Sequence, residues 1–189
     1  MKRVIACMII MVFFSGAFAM QPNDTINPKS FNTTLFEKLI FSKVNEYRSE
    51  NGLKRLRQDS GIYKVAKDQT DFLKKEKQLT HNQPSAGKAT LQNRMEYYLE
   101  LNGYAAGENL ARTFILKPAY NYDRSGKKSA SIASTYTEAA EYMLNAWKQS
   151  SFHNMNMLRD QYEISAIAAY FNPKDNTLTA TQVFARIDD

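Results

Sequence analysis

Cysteine is all but missing from this chain of 189 residues: the one copy, Cys7, lies inside an apolar run near the start. Everything after that run can form no disulfide and offers no thiol nucleophile. A lipoprotein-type leader, which needs a cysteine at its cleavage point, is excluded as well. Histidine is scarce, with only His81 and His153, and tryptophan occurs once, at Trp147. No second long apolar run follows the first, so a membrane anchor beyond the leader is not expected. Basic residues never gather into a long block; Lys54-Arg55, Lys74-Lys75 and Lys127-Lys128 are short clusters spread along the chain. Dispersed charge of this kind reads as a solvated surface and gives no case for nucleic acid. No internal repeat is present.

The first nineteen residues read as a signal peptide. Lys2 and Arg3 precede the apolar stretch from Val4 to Phe14, and Ala17-Phe18-Ala19 supplies a cleavage site of small residues. Removing 1–19 leaves 170 residues and lowers the net charge from +6 to +4. That length suits one domain with its own core. Export without disulfides points to a bacterial periplasm or exterior, where such a surface can adhere to an anionic envelope.

Residues 20–33 are polar, carry Pro22 and Pro28, and read as a flexible lead-in to a domain over 34–189. Thr34 and Glu37 have capping-box spacing ahead of an apolar face of Phe36, Leu39, Ile40, Val44 and Tyr47, which ends at Asn51-Gly52. A second helix is predicted from Asp59 to Lys77, capped by Asp59 or Ser60, and Pro84 and Gly87 then break regular structure around His81. Arg94 to Leu101 reads as a short helix and Leu110 to Leu116 as the start of a strand. The stretch 118–134 reads as a loop, a lid or a tolerated insertion. Thr135 and Glu138 repeat the capping-box spacing ahead of Ala140, Met143, Leu144 and Trp147. This helix ends just before His153. Ile164–Phe171 and Thr177–Arg186, joined by Asn172-Pro173-Lys174-Asp175-Asn176, read as an antiparallel hairpin.

The chemistry centres on Ala106-Gly107-Glu108-Asn109-Leu110-Ala111. His81 stands 27 residues before Glu108 and His153 stands 45 after it. Local sequence does not bring these groups together; only a fold can. Arg94 can pair with an acidic residue or simply pack, and Tyr97, Tyr98, Tyr120 and Tyr122 can line a rim.

Five landmarks in order resemble the CAP superfamily of cysteine-rich secretory, antigen 5 and pathogenesis-related-1 proteins, and in particular its bacterial SCP-like members. They are Val44-Asn45-Glu46-Tyr47-Arg48 with Gly52-Leu53, Leu79-Thr80-His81, Gly107-Glu108-Asn109-Leu110-Ala111, Trp147 to Leu158, and Thr181-Gln182-Val183-Phe184. The likeness runs over residues 36 to 186. It implies an α+β fold, a three-layer α–β–α sandwich around a small central antiparallel sheet, and a monomer. It also implies a ligand cleft of His81, Glu108, Asn109, Ser150 and His153. Ser150 stands where many members carry a second glutamate, and Phe152 replaces the glycine before the second histidine, where it can narrow the cleft.

Two imidazoles and a carboxylate are the ligand set of a three-ligand site for a divalent metal such as zinc, so His81, His153 and Glu108 are the candidate metal ligands and candidate catalytic groups. Three readings stand beside one another. The trio is a cleft binding an extracellular or envelope ligand such as a glycan, a lipid or a metal; it is a metal-dependent hydrolase of peptide or glycan; or it is a clasp in which Glu108 ties down two histidine-bearing loops.

Overall fold

The computed structural model describes residues 20–117, 119–122 and 128–188. The leader expected over 1–19 lies outside the described residues. Each long helix begins where a short polar side chain takes up a free backbone donor. Asn32 accepts from the Leu35 amide ahead of α1 (Thr33–Glu50), and Asp59 accepts from Ile62 ahead of α2 (Ser60–Leu73). The Thr34–Glu37 spacing is not a capping box. Asn32 caps first, and Glu37 instead accepts the Ala169 amide at 2.8 Å. Thr135 and Glu138 do form a full box at the head of α4 (Tyr136–Gln149). Helix α1 ends in a Schellman turn: Gly52 takes φ +73°, and the Leu53 amide reaches back to the Arg48 carbonyl at 3.0 Å.

Helix α2 stops at Leu73, short of the predicted Lys77, because its apolar face runs out at a lysine-rich segment. The Arg112 guanidinium then caps its end, donating to the carbonyls of Leu73, Glu76 and Lys77 at 2.7, 2.8 and 3.1 Å. Helix α3 (Leu91–Tyr98) starts earlier than predicted, where Thr90 and Asn93 make a capping box.

Strand β2 (Tyr104–Phe114) also begins earlier than predicted, so Gly107-Glu108-Asn109 lies inside a strand. Strand β1 (Arg57–Gln58) runs parallel to β5 (Ile164–Asn172). β5 pairs antiparallel with β6 (Thr177–Ile187), and β6 with β2, giving the order β1-β5-β6-β2. The expected terminal hairpin is therefore the centre of the sheet. Within the segment expected as a loop, β3 (Ala119–Tyr122) and β4 (Lys128–Ser131) pair as a separate hairpin.

The two faces of the sheet bury different layers, as the two-residue period of a strand requires. Ile167, Ala169 and Phe171 of β5 share a core with α1, α4 and α5 (Ser151–Met157) through Phe36, Ile40, Val44, Met143, Trp147 and Met157. Ile164, Ala166 and Ala168 meet α2 and α3 through Ile62, Val65, Ala66 and Met95. The result is the expected α–β–α sandwich, with Trp147 as a fully buried anchor. The lead-in is docked onto it: Ile26 is buried, its amide donates to the Ser134 carbonyl at 2.8 Å, and Thr25 bridges to Thr135. Among the described residues no helix is long and apolar enough to cross a membrane.

Candidate functional site

Strand β2 is the edge of the sheet, and adjacent residues of a strand face opposite ways. Glu108 stands opposite Val183, on the side covered by α2 and α3; Asn109 stands opposite Gln182, on the side of α4 and α5. Gly107 is required by close approach: a Cβ there would lie 2.5 Å from the Tyr162 hydroxyl and 3.0 Å from Asn156 Oδ1. One short motif therefore reaches into both helical layers.

On the first side, Glu108 is almost wholly buried and both its oxygens are taken. Oε2 accepts from Arg94 Nη2 at 2.7 Å, and Oε1 lies 2.7 Å from His81 Nδ1. Arg94 is itself fully buried and donates Nη1 to the His81 carbonyl at 3.1 Å. A buried carboxylate is tolerated only with such partners. The His81 ring is 56% exposed. With Nδ1 held as a donor by Glu108, its Nε2 is left as the free edge of the ring.

The loop carrying His81 is pinned from below. Gln69 donates to the Thr80 carbonyl at 2.5 Å, and Gln83 donates to Gln69 Oε1 at 2.9 Å and to Asp68 Oδ2 at 3.0 Å. Lys88 and Tyr98 both bond Asp68 Oδ1 at 2.8 Å. Burial opposes the charge on Asp68, but the Lys88, Tyr98 and Gln83 hydrogen bonds outweigh it and hold its carboxyl below the usual range.

On the second side, Asn109 donates to the His153 carbonyl at 3.0 Å, and Asn156 donates to Asn109 Oδ1 at 2.9 Å and to the Glu108 carbonyl at 3.3 Å. Ser150 is the N-cap of α5, with its hydroxyl 3.5 Å from the His153 amide. The far end of α5 is tied to α1 by buried Arg48, which donates to the carbonyls of Met157 and Arg159 at 2.7 and 2.9 Å. The His153 ring is half-buried, and its pKa lies below the ordinary histidine value, first from burial and second from the charge of His81. Phe152 is 74% exposed, so its ring stands at the surface and does not pack against the histidines.

For a three-ligand metal centre Glu108 would need a free oxygen, yet one faces a guanidinium and the other an imidazole. Among the described residues no three His, Cys, Asp or Glu side chains converge closely enough to hold a metal ion. The donor set, arranged in this way, does not fit such a centre.

The cysteine-rich secretory protein family model, CAP, matches residues 41–184. The chain belongs to the CAP family. Solved structures of similar fold include an extracellular protein containing an SCP domain from Bacillus anthracis, at 22% identity and TM-score 0.59 over 82% of this chain and 41% of that one. An outer surface protein of Borrelia burgdorferi is similar at 18% identity and TM-score 0.63, over 88% of this chain and 99% of that one. The chain thus spans less than half of the Bacillus protein and nearly all of the Borrelia one. At these identities the likeness shows the CAP fold. No curated protein matches the sequence.

In this CAP domain the side chains of His81 and Glu108 meet directly, while Asn109, on the other face of β2, holds the His153 backbone carbonyl. Of the two readings open for Arg94, pairing with an acidic residue is the one that holds, and its partner is Glu108. Sequence reasoning missed Asn156, and the supports Asp68, Gln69, Gln83 and Lys88. No local signal marked these; each is set by its position on a neighbouring layer. Tyr97 is 60% exposed and Tyr98 bonds Asp68, while the side chains of Tyr120 and Tyr122 lie outside the described residues.

Proposed function

We propose that this CAP domain is an extracellular binding module that takes up an uncharged polar envelope component, a glycan, at His81 and His153. One observation carries the reading: both oxygens of Glu108 are engaged inside the protein, one by the Arg94 guanidinium and the other by His81 Nδ1, so what faces outward is imidazole and not carboxylate. A neutral ring nitrogen exchanges hydrogen bonds with hydroxyls at little desolvation cost, whereas a bare buried carboxylate would select a cation. Phe152, exposed one residue before His153, adds an aromatic face suited to the apolar side of a sugar ring.

The test is retention of the purified protein on insoluble cell-wall glycan, compared with phospholipid vesicles, at low salt. Saturable retention on glycan that His81→Ala weakens at least tenfold supports the reading. Equal retention by the variant, or binding to vesicles alone, refutes it. A second reading, a hydrolase of peptide or glycan, is favoured by the His81–Glu108 pair, since a carboxylate on Nδ1 orients Nε2 as a base. Turnover of peptide or glycan substrates that is lost in Glu108→Gln would establish it. Metal enters this function only if elemental analysis of the purified protein finds a stoichiometric ion that His81→Ala removes.

A further inference from the structure

The free edge of β2 has a backbone hydrogen-bonding pattern that the fold leaves open at one end. Gly103 accepts from the Asp188 amide, and the Ile115 amide donates to Asn176, so the odd-numbered residues of this strand ladder to β6. By the alternation of an antiparallel ladder, the amides and carbonyls of the even-numbered residues point away from the sheet. Glu108 agrees, since its carbonyl is met from outside by Asn156. Leu110 is buried, but Tyr104 and Ala106 are only half covered, and no hydrogen-bond partner of their outward backbone groups occurs among the described residues. Beside them a groove of about 730 Å³ opens between the strand and α3. Leu91, Leu99 and Leu101 line it with Glu96 and Glu100, and no basic side chain does.

We infer that this edge is a docking site for an extended polypeptide segment bearing a lysine or arginine, which adds as a strand beside Tyr104–Ala106. The outward groups recur with a two-residue period, which is the spacing of another extended backbone. An unpaired edge of this kind is a template for strand addition unless something blunts it, and here the Asn156 contact blunts it only at Glu108. The side chain next to the groove meets an apolar wall and two carboxylates. A long aliphatic stem with a cationic head matches both, and Glu96 and Glu100 have no cationic partner among the described residues. The site is separate from the histidine constellation and does not depend on a glycan being the ligand there.

The probes are synthetic peptides of roughly eight residues in an alternating valine frame, with lysine, serine or glutamate at the intervening positions. Each is made in two forms, N-methylated along one edge or the other. Binding of the lysine series in one N-methylated form, at least tenfold weaker in the other, is the expected result, since methylation on the wrong edge removes the donors that pair. Amide exchange at Ala106 should slow on binding while that at Ala105, already in the ladder, stays unchanged. Ala106→Pro removes an outward donor that the fold does not use and should abolish binding. Glu96→Gln with Glu100→Gln, both exposed, should level the preference for lysine over serine. His81→Ala should leave peptide binding intact, which separates this site from the glycan reading. Equal affinity for both N-methylated forms, or tight binding to the folded Ala106→Pro variant, overturns the inference. A concentration-dependent dimer that Ala106→Pro dissolves, with no peptide bound, would overturn it too and make a second copy of the chain the occupant.

Discussion

Replacing Arg94 with methionine keeps the stem volume and deletes the charge that faces Glu108. Both side chains are sealed from solvent, at 0% and 2% exposure, so water cannot take over the lost contact without opening the layer. Breaking a buried ion pair from one side typically costs about 3–5 kcal/mol. Two further bonds go with it, to the carbonyls of His81 at 3.1 Å and Lys88 at 3.5 Å, of which only the first has good geometry and is worth about 1 kcal/mol. The sum, about 4–6 kcal/mol, is a large part of the stability of a domain this size. Urea denaturation followed by tryptophan fluorescence reads it, because Trp147 is fully buried. The midpoint should fall steeply with little change in slope. Arg94→Met combined with Glu108→Leu should regain most of the loss, since an apolar pair of similar volume leaves no stranded charge. A single-variant loss below about 1 kcal/mol, or a double variant as unstable as the two singles added, would refute the view that this pair is a sealed ion pair.

Three other predictions follow from the same geometry. The His153 pKa is lowered in the folded state, so this residue contributes stability that is present above the ordinary histidine pKa and is lost as pH falls through the lowered folded value. Unfolding free energies from urea curves taken from neutral to mildly acid pH should therefore decline by at most about 1.4 kcal/mol per pH unit from this group, and His153→Asn should flatten the decline. Burial raises the Glu37 pKa despite the Ala169 amide bond, so its stabilising effect is complete below the ordinary glutamate pKa and fades as pH rises through the folded value. Glu37→Gln, which keeps an acceptor for Ala169, should stabilise the protein at neutral pH and do little at acid pH, as read by thermal midpoints. Gly107→Ala should cost about 1–3 kcal/mol by driving a methyl into the Tyr162 hydroxyl, and Tyr162→Phe in the same chain should recover part of it.

The elements whose stability is local were legible in the sequence. The Thr135–Glu138 box, the Asn51-Gly52 stop and the apolar strand at Ile164–Phe171 each depend on neighbours within a few residues, and each forms as read. Misreadings arose where a distant group decided. Glu37 looked like a capping residue until the Ala169 amide, 132 positions away, claimed it. The exposed carbonyls at the end of α2, where its apolar face runs out, are taken by Arg112 of β2.

The site follows the same division. His81, Glu108 and Asn109 were visible because their types are rare or their motif is specific, but the role of Arg94 depends on α3 lying against β2, which no periodicity encodes. What makes the arrangement economical is the position of β2 at the sheet edge. Consecutive residues of a strand in the middle of a sheet would be separated by the sheet itself, with Glu108 and Asn109 serving unrelated cores. At an edge the two layers can approach each other past the strand, so one side chain holds the loop of His81 and the next holds the backbone of His153. The same edge position that lets Glu108 hold the His81 ring and Asn109 hold the His153 backbone leaves the backbone at Tyr104 and Ala106 open, so the site and the unpaired edge are consequences of one placement.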